Sequence, residues 1–403
     1  MNETVPFLPY ARQAVDDEDI AAVVAVLRSD FLTTGPATEA FEKKLADVTG
    51  ARFAVSCSSG TAALHLAALV LGLGPGDSVV VPSITFLATA NAARYVGAEV
   101  VFADVDAETG LMGPEQLEQA FDRGGSSIKA IFPVHLAGQS PDMASITAIA
   151  GKRGATVAED ACHALGSKYT DDTGQMFRAG ACGHSDMAAF SFHPIKTIAM
   201  GEGGAVTTND DSLYQRLKKA RGHGMIHDAW AFRNRDMGLA EDGKANAWYY
   251  EMQDIGFNYR ASDIHCALGL SQLGKLESFA RKRRALAKRY DELLAPLSPV
   301  LRPIATLPGN LPVWHLYVVL IDFEKAGVSR DEMMRALREK GIGTQVHYIP
   351  VHRQPYYRDR YDALDLPGSE RYYGQCLSLP FYPGMGDQDV ERVVNNLKSL
   401  LAS

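Results

Sequence analysis

The chain has 403 residues, of which 46% are hydrophobic and 22% charged, and this composition excludes a mainly disordered protein. A length of 403 residues predicts two or more domains rather than one small core. The 40 basic and 48 acidic residues give a net charge of −8, which disfavours nucleic acid as the main partner.

The sequence carries no pattern typical of export, of a membrane span or of a metal site. Its first ten residues, M-N-E-T-V-P-F-L-P-Y, lack the basic start and apolar run of a signal peptide. No stretch reaches the roughly 18 apolar residues that a membrane-spanning helix needs. The five cysteines are odd in number and never spaced C-x-x-C, which argues against a disulfide framework or a zinc site. We therefore expect a cytoplasmic protein with no membrane partner and no metal.

Short apolar runs alternate with helical patterns from Arg52 to about Asn209. The predicted strands begin at Phe53, Ser78, Glu99, Ala130, Ala155, Met187 and Gly204. The helical patterns between them cover residues 61–71, 85–96, 114–121 and 141–152. Most of the runs are continuously apolar, as in strands buried on both faces, so we predict a mostly parallel α/β sheet. The last two runs have little helix between them and form a hairpin or belong to a later insertion.

The pattern changes in the second half of the chain. A predicted helix at 211–221 leads into a polar, aromatic-rich loop at 227–254. Ser262 then has the position of an N-cap for one long helix to about Ala295, whose basic face is either solvated or docks an anionic ligand. A strand, W-H-L-Y-V-V-L-I-D, and helices at 330–340 and 389–401 follow. We predict a large α/β domain over residues 1–255 and a smaller α+β domain over 256–403.

Ligands of open parallel sheets bind at the carboxyl ends of the strands, so the residues that follow each strand are the candidates for a site. The first strand leads into S-C-S-S-G-T-A-A-L, where Ser59, Gly60 and Thr61 open a helix. This segment is either a phosphate-binding helix N-terminus or simply a well-capped helix start. It matches neither a Walker loop nor a dinucleotide fingerprint, which argues against nucleoside triphosphates and nicotinamide cofactors.

Two further strand ends carry a carboxylate and a lysine. E-D-A-C-H-A-L-G places Asp160 directly after an apolar run, as a partner for a cationic ligand atom or as a helix cap. F-S-F-H-P-I-K-T places Lys196 beyond a buried strand, with the hydroxyl of Ser191 nearby, and desolvation favours such a lysine as a Schiff-base nucleophile. An anion site, a carboxylate for a ring nitrogen and a lysine for an aldehyde are together the three groups that hold pyridoxal phosphate.

The motifs resemble, in one order from about Pro9 to Leu401, those of the DegT/DnrJ/EryC/StrS sugar aminotransferases, which are fold-type I pyridoxal-phosphate enzymes. They are S-S-G-T-A-A-L, P-S-I-T-F-L-A-T-A-N, E-D-A-C-H-A-L-G-S, S-F-H-P-I-K, G-E-G-G-A-V-T-T-N, R-G-H-G-M, G-F-N-Y-R and V-H-Y-I-P-V-H. Within that family, S-F-H-P-I-K, G-L-S-Q-L, Q-V-H-Y-I-P-V-H and the long loop are most similar to the branch that acts on UDP-4-keto-6-deoxy-N-acetyl-altrosamine in pseudaminic acid synthesis.

The resemblance implies a role for each matching residue. Lys196 would hold the cofactor and shuttle the proton between Cα and C4′, Asp160 would pair with the pyridine nitrogen, and His163 would lie against the ring or its hydroxyl. Phe86 would stack on the ring. The phosphate would be bound by Ser59, Gly60, Thr61 and Ser191, and by Asn258 of a second subunit, which implies a homodimer with shared active sites. The sugar-nucleotide pocket would be lined by Tyr10, Leu32, Thr33, Thr34, Gly35, Ser59, Arg260, His347 and Tyr348.

The function that the resemblance implies is transfer of an amino group from an amino acid, L-glutamate, to C4 of a nucleotide-linked 4-keto-6-deoxy sugar. One alternative is another keto sugar, a dTDP or GDP hexose aminated at C3 or C4. A second is a pyridoxal-phosphate-dependent sugar dehydratase, although relatives of that kind replace the lysine by histidine and Lys196 is present here. A third is a non-catalytic binding protein that has kept the fold, against which the presence of both Lys196 and Asp160 argues.

Overall fold

The computed structural model describes residues 6–401 and contains a large sheet, a small sheet and helices around them. The strands are β1 (Phe53–Cys57), β2 (Ser78–Pro82), β3 (Glu99–Ala103), β4 (Ile128–Ile131), β5 (Thr156–Asp160), β6 (Lys168–Thr170), β7 (Met176–Arg178), β8 (Met187–Ser191), β9 (Gly204–Thr208), β10 (Met225–Ile226), β11 (Glu251–Met252), β12 (Leu301–Pro303), β13 (Tyr317–Ile321) and β14 (Cys376–Leu379).

The helices cover both faces of the large sheet and also pack against the small sheet. They are α1 (Asp17–Leu27), α2 (Pro36–Thr49), α3 (Gly60–Val70), α4 (Leu87–Tyr95), α5 (Pro114–Gly124), α6 (Met143–Arg153), α7 (Asp211–Arg221), α8 (Arg235–Gly238), α9 (Asp263–Gly274), α10 (Leu276–Leu294), α11 (Phe323–Ala326), α12 (Arg330–Glu339), α13 (Pro355–Arg358), α14 (Pro367–Gln375) and α15 (Asp387–Leu401).

The large sheet has seven strands in the order β1-β9-β8-β5-β4-β2-β3. Its pairs are parallel except that β9 runs antiparallel to both neighbours, with Ser191 of β8 opposite Gly204 of β9. The predicted mostly parallel α/β sheet is therefore confirmed, and β8 and β9 are the hairpin rather than an insertion. Because every other strand runs in one direction, their carboxyl ends lie at one edge of the sheet.

Alternate residues of the central strands pack into different cores, which explains the continuously apolar runs. Val79 and Val81 of β2 pack with the alanine- and leucine-rich helices α3 and α4. Val80, between them, packs on the other face with α5 and α6. A strand buried on both faces needs an apolar residue at every position. The large sheet therefore lies between two layers of helices.

The small sheet, β12-β13-β14, is antiparallel and packs against α10, α12 and α15. The N-terminal segment joins this unit, since Leu8 is 5% exposed in the same core and its N–H donates to Gly341 O at 2.9 Å. The N–H of Phe381 donates to Tyr10 O at 2.9 Å. The segment thereby carries Tyr10 to the junction of the two sheets, while the division at residues 255 and 256 stays a prediction.

One long helix was predicted from Ser262 to about Ala295, and this prediction was wrong. The chain forms α9, capped by the Ser262 side chain, and α10, with a break at Lys275 after Gly274. The break places the Lys275 ammonium 2.9 Å from the buried carboxylate of Asp19 in α1. The basic face is solvated at Arg281, but Arg283 is only 1% exposed.

No helix within residues 6–401 is long and apolar enough to cross a membrane.

Candidate active site

A cleft of about 550 Å³ opens at the carboxyl ends of β1, β2, β5 and β8. Its walls also include the N-terminal segment and residues 345–349 of the small-sheet unit. The structure brings eleven of the predicted site residues together here: Tyr10, Ser59, Gly60, Thr61, Phe86, Asp160, His163, Ser191, Lys196, His347 and Tyr348.

One wall of the cleft is the start of α3. Ser59 is its N-cap, and its Oγ accepts the N–H of Ala62 at 3.1 Å. The first N–H groups of a helix have no acceptor within it, so those of Gly60 and Thr61 remain available to an anion. A Cβ on Gly60 would lie 2.6 Å from Cβ of Ser191, so only glycine allows this close approach.

Asp160 ends β5 and is 5% exposed in the floor of the cleft. Its Oδ2 accepts the hydroxyl of Thr89 at 2.6 Å, and its Oδ1 accepts the N–H of Cys162 at 3.2 Å. Thr85 Oγ1 lies 2.7 Å from Thr89 Oγ1, which extends the chain of hydroxyls. These bonds hold a buried carboxylate in one orientation, as pairing with a cationic ring nitrogen requires.

The neighbouring carboxylate, Glu159, makes its contacts inside the protein and not in the cleft. It accepts the Ser185 hydroxyl at 2.6 Å and lies 3.0 Å from Nε2 of the fully buried His135. Burial opposes ionisation of Glu159, but the bonds to His135 and Ser185 prevail and lower its pKa. Of the two acids in the E-D motif, only Asp160 lines the cleft.

Lys196 lies in the loop between β8 and β9, and its N–H donates to His193 O at 2.8 Å. The side chain enters the cleft, and no hydrogen-bond or ion-pair partner for its Nζ is found within residues 6–401. Burial lowers the pKa of Lys196, while Cys162 and Asp160 oppose the shift. A lysine with a lowered pKa is more often neutral and therefore a better nucleophile and base.

Histidine and tyrosine side chains line the opposite side of the cleft. His163 Nε2 lies 3.1 Å from Tyr348 Oη, and Nδ1 accepts the N–H of Ala137 at 3.2 Å. His347 Nδ1 lies 2.8 Å from Ser378 Oγ, and burial, aided by Lys196, lowers the pKa of His347 to about 3. These imidazoles are thus neutral at ordinary pH and act as hydrogen-bonding groups rather than as cations.

Aromatic rings form the rim. Phe86 is the N-cap residue of α4 and 55% exposed, and its ring centroid lies 6.1 Å from that of Tyr348. Tyr10 lies 5.6 Å from His347, measured between ring centroids. An exposed aromatic face at the cleft is suited to stacking on a planar ligand.

The other six predicted site residues lie outside this cleft. Thr34, Gly35 and Arg260 line a separate depression of about 690 Å³. Leu32 O accepts the N–H of Asp263 at 3.0 Å, which brings residues 32–35 beside the G-F-N-Y-R segment. Thr33 forms a β-bridge to Ser262, and Asn258, which is exposed, forms one to Gly222. These six residues gather near one another but not at Lys196.

Two residues of the site were missed by the sequence analysis. Thr89 binds Asp160 across 71 positions of sequence, and the local signals were its place in the motif P-S-I-T-F-L-A-T-A-N and its spacing of four residues from Thr85. His315, 1% exposed, places its ring centroid 4.4 Å from that of His163. No motif marks His315, because its neighbours in space come from other segments.

The residues of the cleft fit pyridoxal phosphate. Gly204, opposite Ser191, could not carry a Cβ without a clash with the carbonyl of Ser59, so the backbone is closely packed around the α3 N-terminus, whose free N–H groups fit a phosphate. Asp160 supplies a buried carboxylate for a ring nitrogen, and Lys196 supplies an amine. Within residues 6–401, no group of three histidine, cysteine or acidic side chains is arranged to hold a metal ion.

Comparison with known proteins agrees with this geometry. The model of the DegT/DnrJ/EryC1/StrS aminotransferase family matches residues 13–398. The spore coat polysaccharide biosynthesis protein SpsC of Bacillus subtilis (strain 168) is 40% identical over 398 residues, which are 98% of this chain and 97% of that protein.

Two solved structures share the whole fold. Helicobacter pylori PseC, an aminotransferase of pseudoaminic acid biosynthesis, has a TM-score of 0.87 at 29% identity, covering 98% of this chain and 99% of that one. Spr1654 of Streptococcus pneumoniae, described as a sugar aminotransferase and solved in its PLP form, has a TM-score of 0.86 at 27% identity, covering 98% and 99%. The chain therefore belongs to the DegT/DnrJ/EryC1/StrS aminotransferase family and is a pyridoxal-phosphate-dependent sugar aminotransferase of fold type I.

Proposed function

We propose that this enzyme transfers the amino group of L-glutamate to C4 of a nucleotide-linked 4-keto-6-deoxy sugar, with UDP-4-keto-6-deoxy-N-acetyl-altrosamine as its substrate. The main support for this reaction type is that Lys196 and Asp160 lie in one cleft beside the α3 N-terminus. The substrate class is supported by the likeness to PseC over nearly the full chain. The relation to SpsC also supports a product used in a surface polysaccharide.

Each group of the cleft has a distinct task in this reaction. Bound pyridoxal phosphate supplies an electron-poor ring that stabilises a carbanion at the reacting carbon. Asp160, oriented by Thr89, keeps the proton on the ring nitrogen. With the cofactor bound, Lys196 would move the proton between Cα of the amino-acid donor and C4′, and its lowered pKa favours the neutral amine that would accept this proton. The N–H groups of Gly60 and Thr61, with Ser59 and Ser191, bind the phosphate.

The composition of the cleft supports a neutral, hydroxyl-rich substrate portion. Tyr10, Gln345, Gln354 and Tyr348 present uncharged donors and acceptors. Lys196 is the one lysine or arginine among the described residues that line it. Among the described residues that line the cleft, the carboxylates of glutamate and the diphosphate of the sugar nucleotide therefore have no cationic partner besides Lys196.

A second subunit would supply the missing groups, so we propose a cytoplasmic homodimer with shared active sites. Asn258 is exposed, and its segment is held in place because Tyr259 O accepts the N–H of Ser58 at 2.7 Å. Arg260 and residues 32–35 lie on the same part of the surface. If this surface meets the cleft of the neighbouring chain, Asn258 completes the phosphate site and Arg260 the sugar-nucleotide pocket.

Product analysis with a panel of nucleotide keto sugars tests the proposal. The purified enzyme, glutamate and each of the UDP-, dTDP- and GDP-linked 4-keto or 3-keto sugars are incubated, and products are identified by mass spectrometry. We expect the 4-amino product from the UDP-linked N-acetyl-altrosamine derivative, and none from a Lys196→Ala variant. Preference for a dTDP or GDP hexose would contradict the substrate, and a dehydrated product would contradict the reaction.

A further inference from the structure

The hydroxyl of Tyr348 could either donate or accept in its hydrogen bond with His163, and the buried residues around His163 determine which it does. Its Oη lies 3.1 Å from Nε2 of His163, at the wall of the cleft. Either group could donate in such a pair, depending on the tautomer of the histidine. The direction decides whether the hydroxyl hydrogen of Tyr348 is used internally or is available to a ligand.

The other nitrogen of His163 fixes the direction. The N–H of Ala137 donates to Nδ1 at 3.2 Å, so Nδ1 is an acceptor and carries no hydrogen. Burial, with smaller effects of Lys196 and His347, lowers the pKa of His163 well below its ordinary value, so the ring is neutral. A neutral imidazole has one N–H, which must then be on Nε2. His163 therefore donates to Tyr348.

The Ala137 amide is itself held firmly. Ala137 is fully buried with a φ of 57°, a left-handed conformation that is uncommon for a residue with a side chain. Its carbonyl accepts the N–H of His315 at 2.8 Å, and His135 N–H donates to Asp160 O at 3.0 Å. A Cβ on the adjacent Gly138 would lie 2.5 Å from Val313 O, so the loop is closely packed. Strain kept in a well-packed segment beside a site is typical of functional positions.

We propose that Tyr348, directed by His163, donates its hydroxyl hydrogen to a carbonyl or anionic oxygen of the ligand bound in the cleft. The inference rests on the proposed function and adds a donor to it. The acceptor oxygen is either the keto oxygen of the sugar or the ring oxygen of the cofactor. Burial, together with Asp160, raises the pKa of Tyr348 well above its ordinary value, so the hydroxyl keeps its hydrogen. His163 is the positioning residue in this arrangement.

The hydrogen position on His163 is open to direct measurement in the holoenzyme. In ¹⁵N-histidine-labelled protein, the His163 signals are assigned by their loss in a His163→Gln variant. We expect a neutral ring with its hydrogen on Nε2 and no titration between about pH 6 and pH 9. A hydrogen on Nδ1, or a ring that becomes charged in this range, would overturn the proposal. This result does not depend on which sugar is the substrate.

Kinetics of a Tyr348→Phe variant test the donation itself. We expect a loss of about 10- to 100-fold in kcat for the half-reaction with the keto sugar, as for the removal of one preorganised donor. Tyr356→Phe is the matched control: Tyr356 is 56% exposed and outside the cleft, so its variant should keep the wild-type rate. A Tyr348→Phe enzyme with the wild-type rate and spectrum would overturn the proposal.

The absorption spectrum identifies the acceptor. If the oxygen belongs to the cofactor, Tyr348→Phe shifts the absorption of the resting enzyme and its pH dependence, before any sugar is added. If the oxygen belongs to the sugar, the resting spectrum stays unchanged and only the sugar half-reaction slows. Failure of the proposed function would show differently, as a dehydrated product or as a preference for a dTDP or GDP hexose, and would leave the His163 measurement unaffected.

Discussion

At the scale of single residues, the Asp160 carboxylate gives the first prediction. Asp160→Asn removes the charge that, in the proposed function, holds the proton on the ring nitrogen, but it keeps the size of the side chain. We expect kcat to fall by about 100- to 1,000-fold, since several kcal/mol of transition-state stabilisation are at stake. Steady-state kinetics with saturating cofactor measure the loss.

A change at Thr89, which contacts Asp160, distinguishes the effect of the Asp160 charge from the effect of its orientation. Thr89→Val removes the 2.6 Å hydrogen bond to Asp160 and preserves the shape of the side chain. It should lower kcat by about 10- to 100-fold, which corresponds to the ~1.5–3 kcal/mol of one hydrogen bond to a charged group. Near-normal turnover of Asp160→Asn would make Asp160 a structural carboxylate only.

The residue scale also shows what sequence can predict of such a site. Lys196 and Asp160 follow buried strands, and parallel strands bring their carboxyl ends together, so their meeting follows from topology. His315 and Thr89 reach their partners through packing between distant segments, and although Thr89 lies in a recognisable motif, neither local pattern names the residue that is contacted. The roles assigned to Asn258 and Arg260 depend on a second chain and stay predictions.

At the scale of elements, the approach of α3 to β8 gives the second prediction. In Gly60→Ala the new Cβ would lie 2.6 Å from Cβ of Ser191, so the helix start must move away from the phosphate cradle. We expect pyridoxal phosphate to dissociate more readily, which equilibrium dialysis followed by absorbance measures.

The control for this change is another helical glycine. Gly151 in α6 has no atom within 4 Å of an added Cβ. Gly151→Ala should keep the cofactor and stabilise the fold by up to about 1 kcal/mol, because alanine loses less conformational entropy in a helix. Equal cofactor retention by both variants would contradict the cradle.

Helices and strands could be predicted from the sequence where the local residue pattern alone determines the secondary structure. The strands of the large sheet were found because their short runs are continuously apolar, and helix α7 because its apolar residues recur at helical spacing. The break between α9 and α10 was not, because Lys275 is held by Asp19 of α1 and by Asp16, the N-cap residue of α1, more than 250 positions away. The direction of β9 was equally open, since hairpin and insertion have the same local pattern.

At the scale of the whole molecule, the buried histidines predict how stability depends on pH. The pKa values of His163, His315 and His347 are all lowered, chiefly by burial. The unfolded chain, with histidine pKa values near ~6.5, therefore binds more protons than the folded chain below that pH. The contribution of these histidines to the free energy of unfolding therefore has its full value above about pH 6.5. As the pH drops below this value, the free energy of unfolding falls by up to ~1.4 kcal/mol per pH unit for each histidine.

Urea unfolding at pH 7 and pH 5.5 checks this dependence. His315→Phe keeps a buried ring but cannot be protonated, so its loss of stability between the two pH values should be smaller than the wild-type loss by about 1 kcal/mol. His227→Phe, at an exposed position, is the control and should show the wild-type loss. An unchanged pH dependence in His315→Phe would contradict the prediction.

Subunit exchange tests the shared active site. Lys196→Ala and Asn258→Ala each disable a site, but in the proposed dimer they act on it from different chains. A hybrid of the two has one site with both changes and one with neither, so activity should reappear at up to half the wild-type value per hybrid. We expect an obligate interface upwards of ~2,000 Å².

Controls make the exchange experiment decisive. Asn258→Ala alone must be clearly impaired, as loss of a hydrogen bond to a charged group of ~1.5–3 kcal/mol implies. Lys196→Ala mixed with itself should stay inactive, and Asn258→Ala mixed with itself should keep only its own low activity. Verified hybrids without recovery would place Asn258 in the site of its own chain.

The most direct measurement is the location of the cofactor on the chain. The holoenzyme is reduced with borohydride, digested, and the peptide that carries the pyridoxyl group is sequenced by mass spectrometry. The cleft contains Lys196 as its one lysine among the described lining residues, so the label should be on Lys196 and absent from a Lys196→Ala variant. A label on any other lysine, or a Lys196→Ala variant that is still labelled and active, would contradict the assignment of the active site.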